Sequence, residues 1–195
     1  SHVTSKADFI YFVNRIQAIP KKYGKKMIGW EEIAQADLDT NTIVQYWSNV
    51  AHAKEAVRKG AKIIMSPAQK VYLDMKYDST TKLGLQWAAR IEIDSSYNWA
   101  LSNRVAGIPR ESILGVEAPL WTETLTNMDE IEYMLFPRLP GIAEVGWTPE
   151  SARSWDEYKT RLGRHGERMK AMDIDFYESK QIQWGDKAPE NTPIE

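Results

Sequence analysis

A large aromatic residue closes almost every short apolar run in this chain. Trp30 closes KKMIGW, Trp47 closes TIVQYW, Trp121 closes SILGVEAPLW, and Tyr72 follows directly on AKIIMSPAQKV. Each run leads into a polar loop and then a helical pattern, the signature of a βα unit with a ring at the strand's exit. In parallel α/β folds the exit ends of the strands carry the active site. Several indole faces around one mouth suit a flat ligand with apolar C–H faces and polar edges, and a sugar ring has that form. Core packing is the alternative for any single ring.

The rest of the chain fits that alternation. Phe9, Phe12, Val13, Ile16 and Ile19 keep helical spacing over residues 5–19, with Ser5 and Asp8 as a capping signal and Pro20 and Gly24 as stops. Strands are expected at 25–30, 42–47, 61–65 and 113–118. Helices are expected at 51–59, from 128 to near PRLPG, and at 155–172. Residues 66–112 show no clean strand period and read as loops with short helices, and a stretch that long is usually functional. Four strands are an awkward number, because a closed (β/α)8 barrel needs eight and about 250 residues, whereas this chain has 195. An open four-stranded sheet would leave its edges bare. The count suggests half a barrel, with the other half missing, on another chain, or supplied by a second copy.

Composition narrows the function classes. The net charge of -2 gives no basic footprint for nucleic acid. No apolar run approaches the roughly 18 residues of a membrane span. The absence of Cys removes thiol catalysis and disulfides, and His2, His52 and His165 stand too far apart for zinc-ligand spacing.

Three groups of residues could carry chemistry. Glu117 and Glu123 flank Trp121 in VEAPLWTET. Glu123 lies past the strand end, where a carboxylate can accept hydrogen bonds from sugar hydroxyls beside a stacking indole. Glu117 lies within the expected strand and reads as a buried structural carboxylate. Tyr72 and Asp74 are two apart, so extended backbone would put a phenol donor and a carboxylate acceptor on one face; an ordinary surface pair is the alternative. Glu31 and Glu32 follow Trp30, but adjacent strand residues point apart, so they read as a strand end and a helix start rather than an acid/base pair.

Taken in order, IGWEE, VQYW, SPAQKVYLDMKY, LGLQW, GVEAPLWTET and FPRLPGIAEVGW resemble the second half of the catalytic domain of family 20 glycoside hydrolases, the β-N-acetylhexosaminidases, in their bacterial, exo-acting form. The resemblance spans residues 1–184. It implies an α/β fold, the C-terminal half of a TIM (β/α)8 barrel with four βα units and a C-terminal helix. Residues 1–150 would complete the barrel half, 151–185 would form a helical extension packed on it, and 186–195 a polar tail.

The same resemblance implies the chemistry. Substrates would be glycans ending in N-acetylglucosamine or N-acetylgalactosamine, cleaved with retention by attack of the substrate's own acetamido oxygen, an exception to the two-carboxylate scheme. Trp30, Trp47 and Trp121 would wall the acetamido group, with Trp121 also under the sugar ring. Tyr72 would donate to the acetamido oxygen, Asp74 and Glu123 would hold remote hydroxyls, and Trp87 would line the mouth. Trp99, Trp147, Trp155 and Trp184 match no ligand role and are expected in the core. An adjacent Asp-Glu pair, the orienting residue and the general acid, would stand just before the segment resembling SHVTSKADF, so the chain alone is expected to be inactive. The implied partners are the glycan and either the N-terminal barrel half or a second copy. No cofactor is implied, and the location suggested is secreted or periplasmic. Two rivals are a non-catalytic glycan-binding module and a self-associating half barrel without ligand.

Overall fold

The computed structural model describes residues 5–102 and 104–185. The expected polar tail at 186–195 lies outside them. The chain divides into two compact units, one of Ser1–Val71 with Ala100–Ala118 and the other of Tyr72–Trp99 with Pro119–Glu195.

The first unit opens on α1 (Lys6–Ile16), whose start is a capping box: Ser5 Oγ accepts the Asp8 amide, and Asp8 returns an acceptor to the Ser5 amide. A second short helix, α2 (Ala18–Lys22), contains Pro20 rather than stopping at it. Proline needs no N–H partner in a helix's first turn, so it is tolerated there. β1 (Ile28–Trp30), β2 (Ile43–Tyr46), β3 (Lys62–Met65) and β4 (Ile113–Val116) form one parallel sheet in sequence order. The order has no reversal, as in a singly wound barrel wall. α3 (Val50–Arg58) connects β2 to β3 and buries Ala53 and Ala56, one turn apart, while Asn49 caps its first amides. Val44, Ile63 and Met65 are fully buried, which is why the strands read as apolar runs. After β3 the chain enters α4 (Ala68–Val71).

The second unit holds α5 (Ile93–Tyr97), α6 (Met128–Leu135), α7 (Arg138–Trp147) and α8 (Trp155–Ala171). Its core is largely aromatic: Tyr97 stacks on Tyr158 at 4.3 Å and Tyr77 on Tyr177 at 4.0 Å between ring centroids. Helix α6 ends at Leu135, near PRLPG as expected, but a further helix that the sequence reading did not expect, α7, starts inside that segment at Arg138. Pro140 is the third residue of α7, in its first turn, where it is tolerated. Gly141 within it lets α8 approach, since a Cβ there would sit 2.9 Å from the Tyr158 hydroxyl.

Three of the four tryptophans assigned to packing do pack. Trp99 is buried, Trp155 lies against Tyr97 and Tyr158, and Trp184 lies against Phe176. Trp147 does not: it is 92% exposed. It ends α7 two positions past buried Val145, about 200° round the helix and so on the opposite face.

Candidate functional site

The expected site residues fall into two groups, one in each unit. In the first unit, Trp30 is the last residue of β1 and Trp47 immediately follows β2, both half-buried at strand exits. Trp47 is held at two points. Its amide donates to Glu31 Oε2 at 2.9 Å, and its indole N–H donates to Glu32 Oε1 at 3.0 Å. Glu31 and Glu32 begin a 3₁₀ segment, Glu31–Gln35, so the sequence reading of a strand end followed by a helix start holds. Glu117 differs from expectation. It stands one residue past β4, exposed, with Oε1 accepting from Gln45 Nε2 at 2.6 Å, because β4 is shorter than the apolar run that contains it.

In the second unit, Tyr72, Asp74, Trp87, Trp121 and Glu123 come together. Tyr72 is buried, with the Trp87 ring edge-on at 5.9 Å and the Trp121 ring tilted at 6.4 Å. Trp87 and Trp121 are 57% and 42% exposed, so both rings reach the surface beside it. The segment carrying Tyr72 and Asp74 is not extended, which corrects the same-face argument. It is a turn in which the Met75 amide meets the Tyr72 carbonyl. Backbone bonds stitch this turn to two other loops: Leu73 N–H to the Pro119 carbonyl, Leu85 N–H to the Asp74 carbonyl and Lys76 N–H to the Leu85 carbonyl. Gly84, at φ +86°, permits the close approach, since a Cβ there would lie 2.5 Å from the Asp74 carbonyl oxygen.

Asp74 is the electrostatic anomaly of this cluster. It is 2% exposed, and neither carboxylate oxygen has a hydrogen-bond partner of ordinary geometry among the described residues. A buried carboxylate without donors is costly, and such groups are normally satisfied. Burial raises its pKa above the usual 3.8, and the nearby Glu123 charge adds to the rise. Its own amide and that of Trp121, with the Arg138 cation, pull the other way. An acceptor of this kind, beside a buried phenol and two partly exposed indoles, is suited to a ligand that brings its own hydroxyl donors.

The folded chain therefore binds the Asp74 proton more tightly than the unfolded chain. The stability carried by the protonated form is fully present below about pH 3.8 and is lost as pH rises through the raised folded-state pKa. Asn imitates the protonated form at every pH. Asp74→Asn is accordingly expected to raise the melting temperature at neutral pH, and the gain should vanish below about pH 3.8. Melting curves at both ends of that range check this; an Asn variant that melts lower at neutral pH would mean that the carboxylate is satisfied after all.

Beneath Asp74 lies a residue that the sequence reading did not single out. Arg138, fully buried, sends Nη2 to the carbonyls of Leu73 (2.6 Å) and Met134 (2.8 Å), and Nη1 to those of Met75 (2.7 Å) and Ile91 (3.2 Å). Two of these carbonyls flank Asp74. The guanidinium also lies over the Tyr77 ring, 3.8 Å from its centroid. The one available signal was an arginine inside the otherwise apolar stretch FPRLPGI. Among the described residues no group of three or more His, Cys, Asp or Glu is placed to hold a metal ion, and no helix is long and apolar enough to cross a membrane.

Comparison with known proteins identifies the family and the fold. The family profile described as glycosyl hydrolase family 20, catalytic domain, matches residues 3–150. A β-N-acetylhexosaminidase of Cellulomonas fimi is 42% identical over 170 residues, covering 86% of this chain and 34% of the relative. The structure superposes on a mutant β-hexosaminidase of Streptomyces plicatus, solved in complex with product (GlcNAc), with a TM-score of 0.90 at 46% identity. That match covers 93% of this chain and 38% of the other. The family 20 β-N-acetylhexosaminidase of Streptomyces coelicolor gives a TM-score of 0.91 at 45% identity, over 95% of this chain and 39% of that one. The chain thus spans little more than a third of each of these proteins, and its parallel sheet corresponds to part of their TIM barrel. By its family profile, its sequence relatives and its fold, the chain belongs to glycosyl hydrolase family 20.

Proposed function

We propose that this chain is the C-terminal half of the catalytic barrel of an exo-acting β-N-acetylhexosaminidase, and that it supplies the sugar-binding part of the site. Residues 1–150 make up the barrel half and 151–185 a helical extension. The substrates are glycans ending in N-acetylglucosamine or N-acetylgalactosamine. The observation that carries the reading is the unsatisfied, buried Asp74 carboxylate beside Tyr72, with the partly exposed rings of Trp87 and Trp121 at its side.

Sugar hydroxyls would supply the donors that Asp74 lacks, with Glu123 as a second acceptor. The indole faces suit the C–H faces of a pyranose. The Tyr72 phenol would donate to the acetamido oxygen, which attacks the anomeric carbon as the bond to the leaving oxygen breaks. The oxazolinium ion so formed is then opened by water. On the family resemblance alone, Trp30 and Trp47 are assigned to the acetamido wall, where excluding water and fixing the attacking group would lower the barrier. The general acid and its Asp partner would come from residues outside these 195.

The test is an assay with an aryl N-acetylglucosaminide on the chain alone and on a barrel in which it is joined to an N-terminal half. General acid catalysis is worth about 10²–10⁴-fold, so the chain alone should fall below the joined barrel by at least that much. Comparable turnover by the chain alone would overturn the assignment. Self-association has two observations in its favour: among the described strands, β1 and β4 each pair on one side only, and Tyr11, Phe12, Ile19 and Tyr23 of the first unit are exposed. Sedimentation of the same sample decides this point, a monomer at high concentration excluding it.

A further inference from the structure

The adjacent carboxylates Glu31 and Glu32 take no part in the chemistry above, yet both end on Trp47. The chain turns directly from β1 into a 3₁₀ segment at Glu31. Successive side chains of such a segment fan out by about 120°, so neighbours can approach one residue from different sides. Glu31 is fully buried, and its carboxylate accepts the amides of Trp47 (2.9 Å), Ser48 (3.2 Å) and Asn49. Backbone donors replace the water it has lost. Glu32 is half-buried and accepts the Trp47 indole N–H at 3.0 Å.

One carboxylate therefore fixes the Trp47 backbone and the other fixes its ring. With the main chain held and the indole N–H committed, the two side-chain torsions of Trp47 have one favourable setting. The two contacts differ in purpose. The Glu31 bonds also secure the loop that leads into α3. The side-chain hydrogen bond of Glu32 to Trp47 serves the orientation of one indole plane.

We infer that Glu31 and Glu32 are positioning residues for Trp47, and that Glu32 sets the plane the indole presents to the substrate's acyl group. The inference rests on the proposed assignment of Trp47 to the acetamido wall. A wall held in one plane discriminates by acyl size; a wall free to rotate does not. Misplacement of about 1 Å at such a surface can cost up to about 10²-fold.

The experiment uses the joined barrel and two aryl glycosides, N-acetyl and N-propionyl. Glu32→Ala is expected to lower kcat/KM for the N-acetyl substrate about 10-fold and to narrow its advantage over the N-propionyl one. Glu32→Gln keeps an oxygen that accepts the indole proton and should recover most of both. In a Trp47→Phe background, which has no N–H to orient, adding Glu32→Ala should change nothing further. The Trp47 indole N–H resonance gives a second reading: it should move upfield and exchange faster in Glu32→Ala, and return with Gln. If Glu32→Ala costs the same in both backgrounds, or leaves acyl preference and the indole resonance unchanged, the positioning role is overturned while the site stands. If Trp47→Phe itself leaves kcat/KM and acyl preference unchanged, Trp47 is no wall, and the reading on which the inference rests fails instead. Should Glu32→Ala unfold the barrel, Glu32 is a structural residue and the inference falls.

Discussion

Replacing Arg138 with Met should destabilise the fold by about 3 kcal/mol or more. Four buried carbonyls, those of Leu73, Met75, Ile91 and Met134, accept from this one guanidinium, and that of Met134 also accepts the Tyr77 hydroxyl at 3.1 Å. A buried acceptor left without a donor costs about 1–3 kcal/mol, and relaxation or an entering water recovers part of that. The opposing effect is relief of a desolvated charge, which can make the loss of a buried ion pair neutral. That relief is smaller here, because among the described residues no carboxylate forms an ion pair with Arg138, and carbonyls and the Tyr77 ring surround it. The contact with Tyr77 is lost as well, at about 0.5–2 kcal/mol. For a chain of this size 1 kcal/mol moves the melting temperature by about 2–4 °C, so a drop of roughly 6–12 °C is expected. Arg138→Lys should fall between, since an ammonium has three donors for four acceptors. A Met variant that melts within about 2 °C of the parent would show that water already satisfies these carbonyls.

The strands were legible as short apolar runs, such as residues 63–65 of β3, where two of the three residues are buried and the third half-buried. Helix starts were legible where a cap is local, as with Ser5 and Asp8. Helix ends were less so. Pro20 looks like a stop but occupies the first turn of α2, where an amide is not needed, and PRLPG marks the end of α6 while hiding the start of α7, whose Pro140 again sits in a first turn. Trp147 looked like core, and only its angular position relative to Val145 places it outside. The site was legible as residue types and as a family resemblance, not as geometry. The Tyr72–Asp74 spacing suggested extended backbone where there is a turn, and Glu117 proved exposed. The isolation of Asp74, the four carbonyls under Arg138 and the convergence of Glu31 and Glu32 on Trp47 all join residues 15 or more positions apart, apart from the Arg138–Met134 bond. No local pattern records such contacts.

Tyr72→Phe should lower kcat about 10²-fold and leave KM nearly unchanged. Phe keeps the ring that Trp87 and Trp121 pack against, so the substitution removes the hydroxyl and little else. That hydroxyl is proposed to donate to the acetamido oxygen, the atom whose charge and direction change most on the way to the oxazolinium ion. A bond that strengthens between ground state and transition state shows in kcat rather than KM, and losing one preorganised donor costs about 10²–10³-fold. Trp121→Ala should behave in the opposite sense. Its exposed face would stack on the bound sugar before and during reaction, so its loss weakens binding and raises KM with a smaller change in kcat. The deciding measurement is kcat and KM for Tyr72→Phe and Trp121→Ala in the joined barrel, on one aryl N-acetylglucosaminide under one condition. The account predicts a kcat loss near 10²-fold for the first and a KM rise for the second. A Tyr72→Phe enzyme whose kcat stays within a few-fold of the parent would make Tyr72 a packing residue and contradict the site built around it.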